Sequence, residues 1–186
     1  MLLNGVRKAA IATSRGGSGY EMERTMPISL RESVQQVSDP RNLDASVEEV
    51  FQMMLGVNCR RDPGPQAKEP ESVTAVVGFG GLLSGACVFN SGREAAIKIA
   101  ARLTGMEFDE VDDTVKDGIG EICNMLAGAW KGKVPNLAAN CGLSVPAVIT
   151  GSDYKLHVQA PEFQLHHAYR FDDTSFEVTI VCDGIQ

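Results

Sequence analysis

The stretch DGIGEICNMLAG, Asp117 to Gly128, constrains the fold more than any other part of the chain. Wound as an α-helix at about 100° per residue, it sorts into two opposite faces. Val115, Ile119, Ile122, Leu126 and Ala129 fall on one side and predict a core-facing stripe. Asp117, Glu121, Asn124 and Gly128 follow one another by four, three and four positions down the other side. That outer stripe has no Lys or Arg and carries an amide where a solvated face usually has charge. Gly118, Gly120 and Gly128 each cost about 1 kcal/mol against Ala in a helix interior, so something other than helicity selects them. Small residues around projecting polar groups suit a helix that approaches another surface closely. The alternative is a solvated face with incidental glycines.

The flanking chain supplies a sheet and two more helices. Residues 1–38, with Arg15-Gly-Gly-Ser-Gly19 and few aromatics, read as a flexible N-terminal extension, and residues 39–186 as the folded domain. After Asp39-Pro40, Asp44 or Ser46 can cap a helix to about Val57, with Val47, Val50, Phe51, Met54 and Leu55 on its apolar face. Ser72–Phe79 and Leu82–Asn90 read as strands joined by a tight Gly80-Gly81 hairpin. Ser91 with Glu94 three positions on reads as the capping box of a second helix ending at Gly105. Asp112 or Asp113 then caps the glycine-bearing helix, which runs to about Trp130. Leu143–Thr150, Tyr154–Ala160, Gln164–Phe171 and Phe176–Cys182 complete a set of short strands. Phe176, Val178, Ile180 and Cys182 alternate with Glu177, Thr179 and Val181, as a half-buried strand requires. The expectation is an α/β chain of the α+β kind: a mostly antiparallel sheet with helices packed on one face. The connections are too short for a doubly wound parallel fold.

Composition removes several function classes. A net charge of −7 and the lack of any basic run with interleaved aromatics argue against nucleic acid. No apolar stretch approaches the length of a membrane span, and Met1–Ala12 is too broken by Arg7 and Lys8 to read as a secretory signal. Cys59, Cys87, Cys123, Cys141 and Cys182 are odd in number and contain no C-x-x-C pair, so neither zinc nor a disulfide framework is supported. A reducing cytoplasm is the simplest setting. His166 and His167 point to opposite faces of a strand and, with His157, read as surface strand histidines. Cys123 lies near the apolar half of its helix and reads as a buried thiol. No Gly-rich phosphate cradle is present, and Lys131 and Lys133 read as a solvated helix end more than an anion site.

Glu121 and Asn124 remain. A carboxylate and an amide without metal ligands or nucleophile are a poor kit for self-contained catalysis, yet they suffice if a partner brings the reactive group and the metal. An Asn side chain can hold a water in a fixed direction, and in phosphoryl transfer such an amide supplies in-line geometry more than basicity. A glutamate one turn away could pair with a partner lysine.

The pattern Asp117-x3-Glu121-x2-Asn124, the continuation Met125-Leu-Ala-Gly128 and the run Leu143-Ser-Val-Pro146-Ala-Val-Ile-Thr-Gly151 resemble the signature of the CheC/CheX/FliY family of chemotaxis phosphatases. Asn124 and Pro146 are separated by 21 residues, one fewer than the family's spacing, and the resemblance covers roughly residues 40–183. It implies a CheX-like fold and hydrolysis of the aspartyl phosphate of a CheY-type response regulator. Glu121 would then grip a regulator lysine and Asn124 orient the attacking water. Mg2+ would sit in the regulator's own site, so the chain itself would need no metal or cofactor. Asp117, Gly128 and Pro146 would be partner-binding positions, the glycines clearing space for Glu121 and Asn124 to enter the regulator. The first helix offers only Ala45-x3-Glu49-x2-Gln52, a degenerate site, so one working motif and a homodimer are implied. The rival readings are a non-enzymatic module that binds a receiver domain or a flagellar-switch component, and a small-molecule sensor.

Overall fold

The computed structural model describes residues 35–64, 70–152 and 161–185. Most of the expected N-terminal extension and the expected strand 154–160, with His157, lie outside them. Helix α1 spans Pro40–Leu55, β1 Arg60–Arg61, β2 Ser72–Gly81, β3 Leu83–Gly92, α2 Arg93–Thr104 and α3 Asp113–Gly132. A short helix α4, Pro135–Asn140, precedes β4 Cys141–Leu143, β5 Ala147–Gly151, β6 Phe163–Phe171 and β7 Thr174–Ile185. The seven strands among the described residues form one sheet in the order β1-β6-β7-β3-β2-β4, with β5 also paired to β2. Every ladder is antiparallel.

The register decides which face carries the core. Val73, Ala75, Val77 and Phe79 of β2, Cys87 and Phe89 of β3, and Phe176, Val178, Ile180 and Cys182 of β7 point to one side and are buried. The buried faces of α1, α2 and α3 join them in a single cluster, so the helices gather on that side. The β7 alternation expected from sequence is therefore present, although Val181 on the other face is buried too. Aromatic rings join the layers: Phe51 of α1 stacks on Phe176 with centroids 4.4 Å apart and planes within 2°, and Phe176 also stacks on Phe89 and Tyr169. Val37, which the sequence reading put in the extension, is fully buried in the same cluster.

Local structure departs from expectation where tertiary pairing overrides local signals. Helix α1 starts a turn early: Asp39 caps it through Arg41 N–H at 3.0 Å and Pro40 takes the first helical position, where a missing N–H costs nothing. Asp44 and Ser46 lie inside it, the Ser46 hydroxyl donating to Asn42 O at 2.7 Å. The Gly80-Gly81 hairpin is not tight. Pairing of β2 with β3 stops at Phe79 and Gly85, while Gly80 and Gly81 pair with Gly142 and Cys141 of β4. Gly81 has φ +110°, and a Cβ there would lie 2.4 Å from the Asn140 carbonyl oxygen, so the glycine serves the approach of β4.

Ser91 caps nothing. It belongs to β3, its hydroxyl is buried without a hydrogen-bond partner, and Gly92 precedes α2 with no side-chain cap. The buried face of α2 is Ala95, Ala96, Ile99 and Ala100. The expected strand 143–150 is two strands, broken at Ser144-Val145-Pro146, because Pro cannot donate to a ladder. Replacing Phe176 by Ala removes the ring shared by α1, β3 and β6 and should cost about 3–5 kcal/mol of unfolding free energy, read from urea denaturation.

Candidate functional site

Helix α3 is capped by Asp112, whose Oδ1 accepts from Val115 N–H at 2.9 Å. Of the expected inner stripe, Val115, Ile119, Ile122 and Leu126 are fully buried, and Ala129 is half-buried. Gly120, Cys123, Ala127 and Trp130 are buried as well, so the apolar arc is wider than the sequence pattern implied. What stays outside is the predicted stripe. Asp117 and Glu121 are exposed, and Asn124 and Gly128 half-buried.

The glycines serve this chain's own packing. A Cβ on Gly118 would lie 3.4 Å from Leu103 Cδ1 and 3.7 Å from Ala100 Cα, ordinary contact distances that place α2 directly against α3 there. A Cβ on Gly120 would lie 3.3 Å from Pro146 Cβ and 3.4 Å from Val148 Cγ2, so Pro146 and β5 sit directly on α3 there. Gly128 is the loosest of the three: a Cβ there would have only Leu143 Cδ1 near it, at 4.0 Å. The expectation that the glycines clear space for a partner is thus corrected for Gly120, whose space is taken by Pro146 of this chain. Pro146 is exposed, yet it packs on the residue preceding Glu121, which brings the last of the predicted site residues to the same patch.

Ser144, which sequence reasoning passed over, explains why the break between β4 and β5 is orderly. Its N–H donates to Gly78 O at 2.9 Å. Its hydroxyl accepts from Gly78 N–H at 2.8 Å and donates to Val145 O at 2.9 Å. The hydroxyl thus replaces a ladder carbonyl and carries β2's pairing across the gap. The signal available in the sequence is a Ser two positions before a Pro inside a strand-like run.

No side-chain hydrogen bond or ion pair joins Glu121, Asn124 or Asp117 to another described residue, which leaves a carboxylate and an amide unpartnered one turn apart. The other polar groups nearby are committed. Lys131 Nζ donates to Ala138 O at 3.2 Å and Cys141 O at 2.5 Å, tying α3 to α4 and β4. Lys133 pairs with Glu49, the carboxylate of the degenerate motif in α1. Cys123 is a buried thiol, as expected, with Ala75 O at 3.5 Å and Cys87 O at 3.6 Å from its Sγ. The thiol of its neighbour Cys87 is pushed well above the usual thiol range by a side-chain hydrogen bond with Cys123 and by burial. Burial raises Cys59 to about 12 and Cys182 to about 11, so neither offers a thiolate. All five cysteines are free.

His166 and His167 do face opposite ways, but His167 is not a surface residue. It is buried against α1 with Nδ1 2.9 Å from Asp44 Oδ1, an oxygen that also accepts from Tyr169 OH at 2.8 Å. Its strand position falls on the core face, and Asp44 supplies the polar partner that burial requires. Among the described residues no group of three or more His, Cys, Asp or Glu could hold a metal ion. No described helix is long and apolar enough to cross a membrane.

The two kinds of glycine separate in a stability measurement. Gly120→Leu must displace Pro146 and should lower unfolding free energy by about 1–3 kcal/mol. Gly128→Ala meets only ordinary contact and should raise it by up to ~1 kcal/mol through helix propensity; urea midpoints of both variants check this.

Residues 73–167, just over half of the chain and including all of α3, match the family described as "Chemotaxis phosphatase CheX". The chain is similar to the CheY-P phosphatase CheX of Thermotoga maritima, 29% identical over 118 residues, 61% of this chain and 76% of that protein. Among solved structures, the chemotaxis protein CheX from Vibrio vulnificus aligns with a TM-score of 0.65 at 17% identity, covering 78% of this chain and 97% of that one. The CheX-CheY-BeF3-Mg2+ complex from Borrelia burgdorferi gives a TM-score of 0.60 at 22% identity, covering 77% and 97%. The likeness in structure is one of fold, and the family match spans both the site helix and the Pro146 loop that packs on it. The chain belongs to the CheX family of chemotaxis phosphatases.

Proposed function

We propose that this protein hydrolyses the aspartyl phosphate of a CheY-type response regulator, with Asn124 orienting the attacking water and Glu121 contacting the regulator. The observation that carries the reading is the pair itself. Two hydrogen-bonding side chains stand one turn apart on the outer stripe of an otherwise packed helix, and neither has a partner among the described residues. A carboxylate and an amide left open at fixed spacing suit recognition from outside the chain. The Thermotoga relative's name and the Borrelia complex of CheX with CheY, BeF3 and Mg2+ support the same assignment.

The chemistry asks little of this chain beyond position. Water oxygen bonds to phosphorus as the bond from phosphorus to the aspartyl oxygen breaks, and the carboxylate leaves with that electron pair. Loose phosphoryl-transfer transition states need little deprotonation of the nucleophile, so the water's protons leave with inorganic phosphate. The Asn124 carbonyl accepts from the water and its N–H groups stay free for a phosphoryl oxygen, which places water in line. The Glu121 carboxylate pairs with a regulator lysine and fixes the approach. Mg2+ belongs to the regulator, held by the regulator's carboxylates; this chain contributes no ligand. Asp117, Gly128 and Pro146 border the contact. The protein acts as a homodimer in the cytoplasm, on no nucleic acid, through a domain that takes in Val37 as well as residues 39–186.

Loss of phosphate from CheY of Thermotoga maritima, phosphorylated with acetyl phosphate in Mg2+, tests the reading. Asn124→Ala should lower kcat on the order of 100-fold while retaining wild-type circular dichroism and binding. A variant as active as wild type contradicts the role given to Asn124. Glu121→Gln should raise KM roughly ten-fold and change kcat less, because it removes charge from a docking contact. Wild-type protein that binds the phosphorylated regulator without accelerating phosphate loss would establish a non-enzymatic binding module instead.

A further inference from the structure

One exposed residue beside the site has no role in the reading above. Val145 is 85% exposed, the most exposed of the large apolar side chains among the described residues, the others being Met53, Met106 and Ile149. A single exposed valine on a mobile loop would mean little. This one is held. Ser144, immediately before it, is bonded to β2 through both its N–H and its hydroxyl, and that hydroxyl also fixes the Val145 carbonyl. Pro146, immediately after it, rests on Gly120 and has a locked φ. Both neighbours are clamped while the valine side chain projects into solvent.

We propose that Val145 is an apolar docking contact for the receiver domain whose aspartyl phosphate is cleaved at Glu121 and Asn124, an inference that rests on that reading of the site. Three features support a receiver as its occupant. Val145 is continuous with the site, because Pro146 lies against the residue preceding Glu121. A β-branched side chain has few rotamers to lose, and its backbone is already ordered, so contact costs little entropy. The neighbouring Asp117 and Glu121 are acidic and have no ion-pair partner among the described residues, so a matching surface carries a cation beside an apolar spot. Such a contact sits at the edge of the reaction and strengthens ground state and transition state alike. It therefore acts on affinity and leaves turnover alone, which separates Val145 from Asn124.

Val145→Asp is exposed and should fold normally, and Val145→Ile keeps the apolar contact. With phosphorylated Thermotoga maritima CheY, Val145→Asp should raise KM about ten-fold and leave kcat within about two-fold, while Val145→Ile stays near wild type. In parallel, fluorescence titration with BeF3-loaded CheY in Mg2+ should show a similar loss of affinity for Val145→Asp alone. Unchanged KM and unchanged affinity for Val145→Asp overturn the proposal, as does a fall in kcat without a change in KM. A change of sedimentation coefficient with unaltered CheY affinity also overturns it, assigning the valine to a contact between copies of this chain. If wild-type protein binds but does not hydrolyse, the phosphatase reading fails while the titration still decides the role of Val145. If it does neither, both fail.

Discussion

Helix α3 packs against its neighbours along a wide arc, and small residues let α2 and the Pro146 loop come close to its backbone. At Gly118 the backbone of α2 comes as close as a Cβ would allow, and at Gly120 the ring of Pro146 does the same from the sheet edge. Each glycine sacrifices about 1 kcal/mol of helix propensity, and packing on both flanks offsets it. A helix held from several sides presents its remaining stripe rigidly. Glu121 and Asn124 then stand at fixed spacing without needing hydrogen bonds of their own to hold them. That is the condition for a group that must place a water in another protein's active site, where an error of an ångström is expensive.

The same constraint orders the segment after the helix. Lys131 ties the end of α3 to the Cys141 carbonyl, Ser144 bridges to Gly78 across the break in the strand, and Pro146 closes on Gly120. Successive contacts therefore bring the chain from the end of α3 back to its middle. The α1 helix offers a contrast. It occupies a comparable layer, but its Glu49 is committed to Lys133 and it lacks small residues around Gln52. That ion pair must open before Glu49 can recognise a partner, a cost that Glu121 does not meet.

Much of this was legible in the residues because it depends on local periodicity. The two faces of α3, its Asp112 cap, the β2, β3, β6 and β7 runs and the stripe Asp117-Glu121-Asn124-Gly128 all follow from spacing of three to four or of two. What was illegible depends on partners distant in sequence. Nothing near Gly80 and Gly81 announces that β4 will pair with them, and nothing near Ser91 says that β3 continues through it. The β1 strand is two residues long and exists only because Arg60 and Arg61 meet Arg170 and Tyr169 of β6. His167 read as a surface residue because Asp44 lies 123 positions away. The glycines of α3 were visible as anomalies, but their use could not be assigned before Ala100, Leu103 and Pro146 were placed against them.

The central claim is that the outer stripe of α3 enters the receiver's active site. Resolving the side-chain amide of Asn124 by NMR, with and without receiver loaded with BeF3 and Mg2+, tests it most directly. The account predicts that the Asn124 NH2 signals shift on binding the BeF3-loaded receiver, together with backbone signals around Glu121, and that the unloaded receiver leaves the Asn124 NH2 signals largely in place. Binding that perturbs the β1–β6 edge or the outer face of the sheet, with Asn124 unmoved, would contradict it.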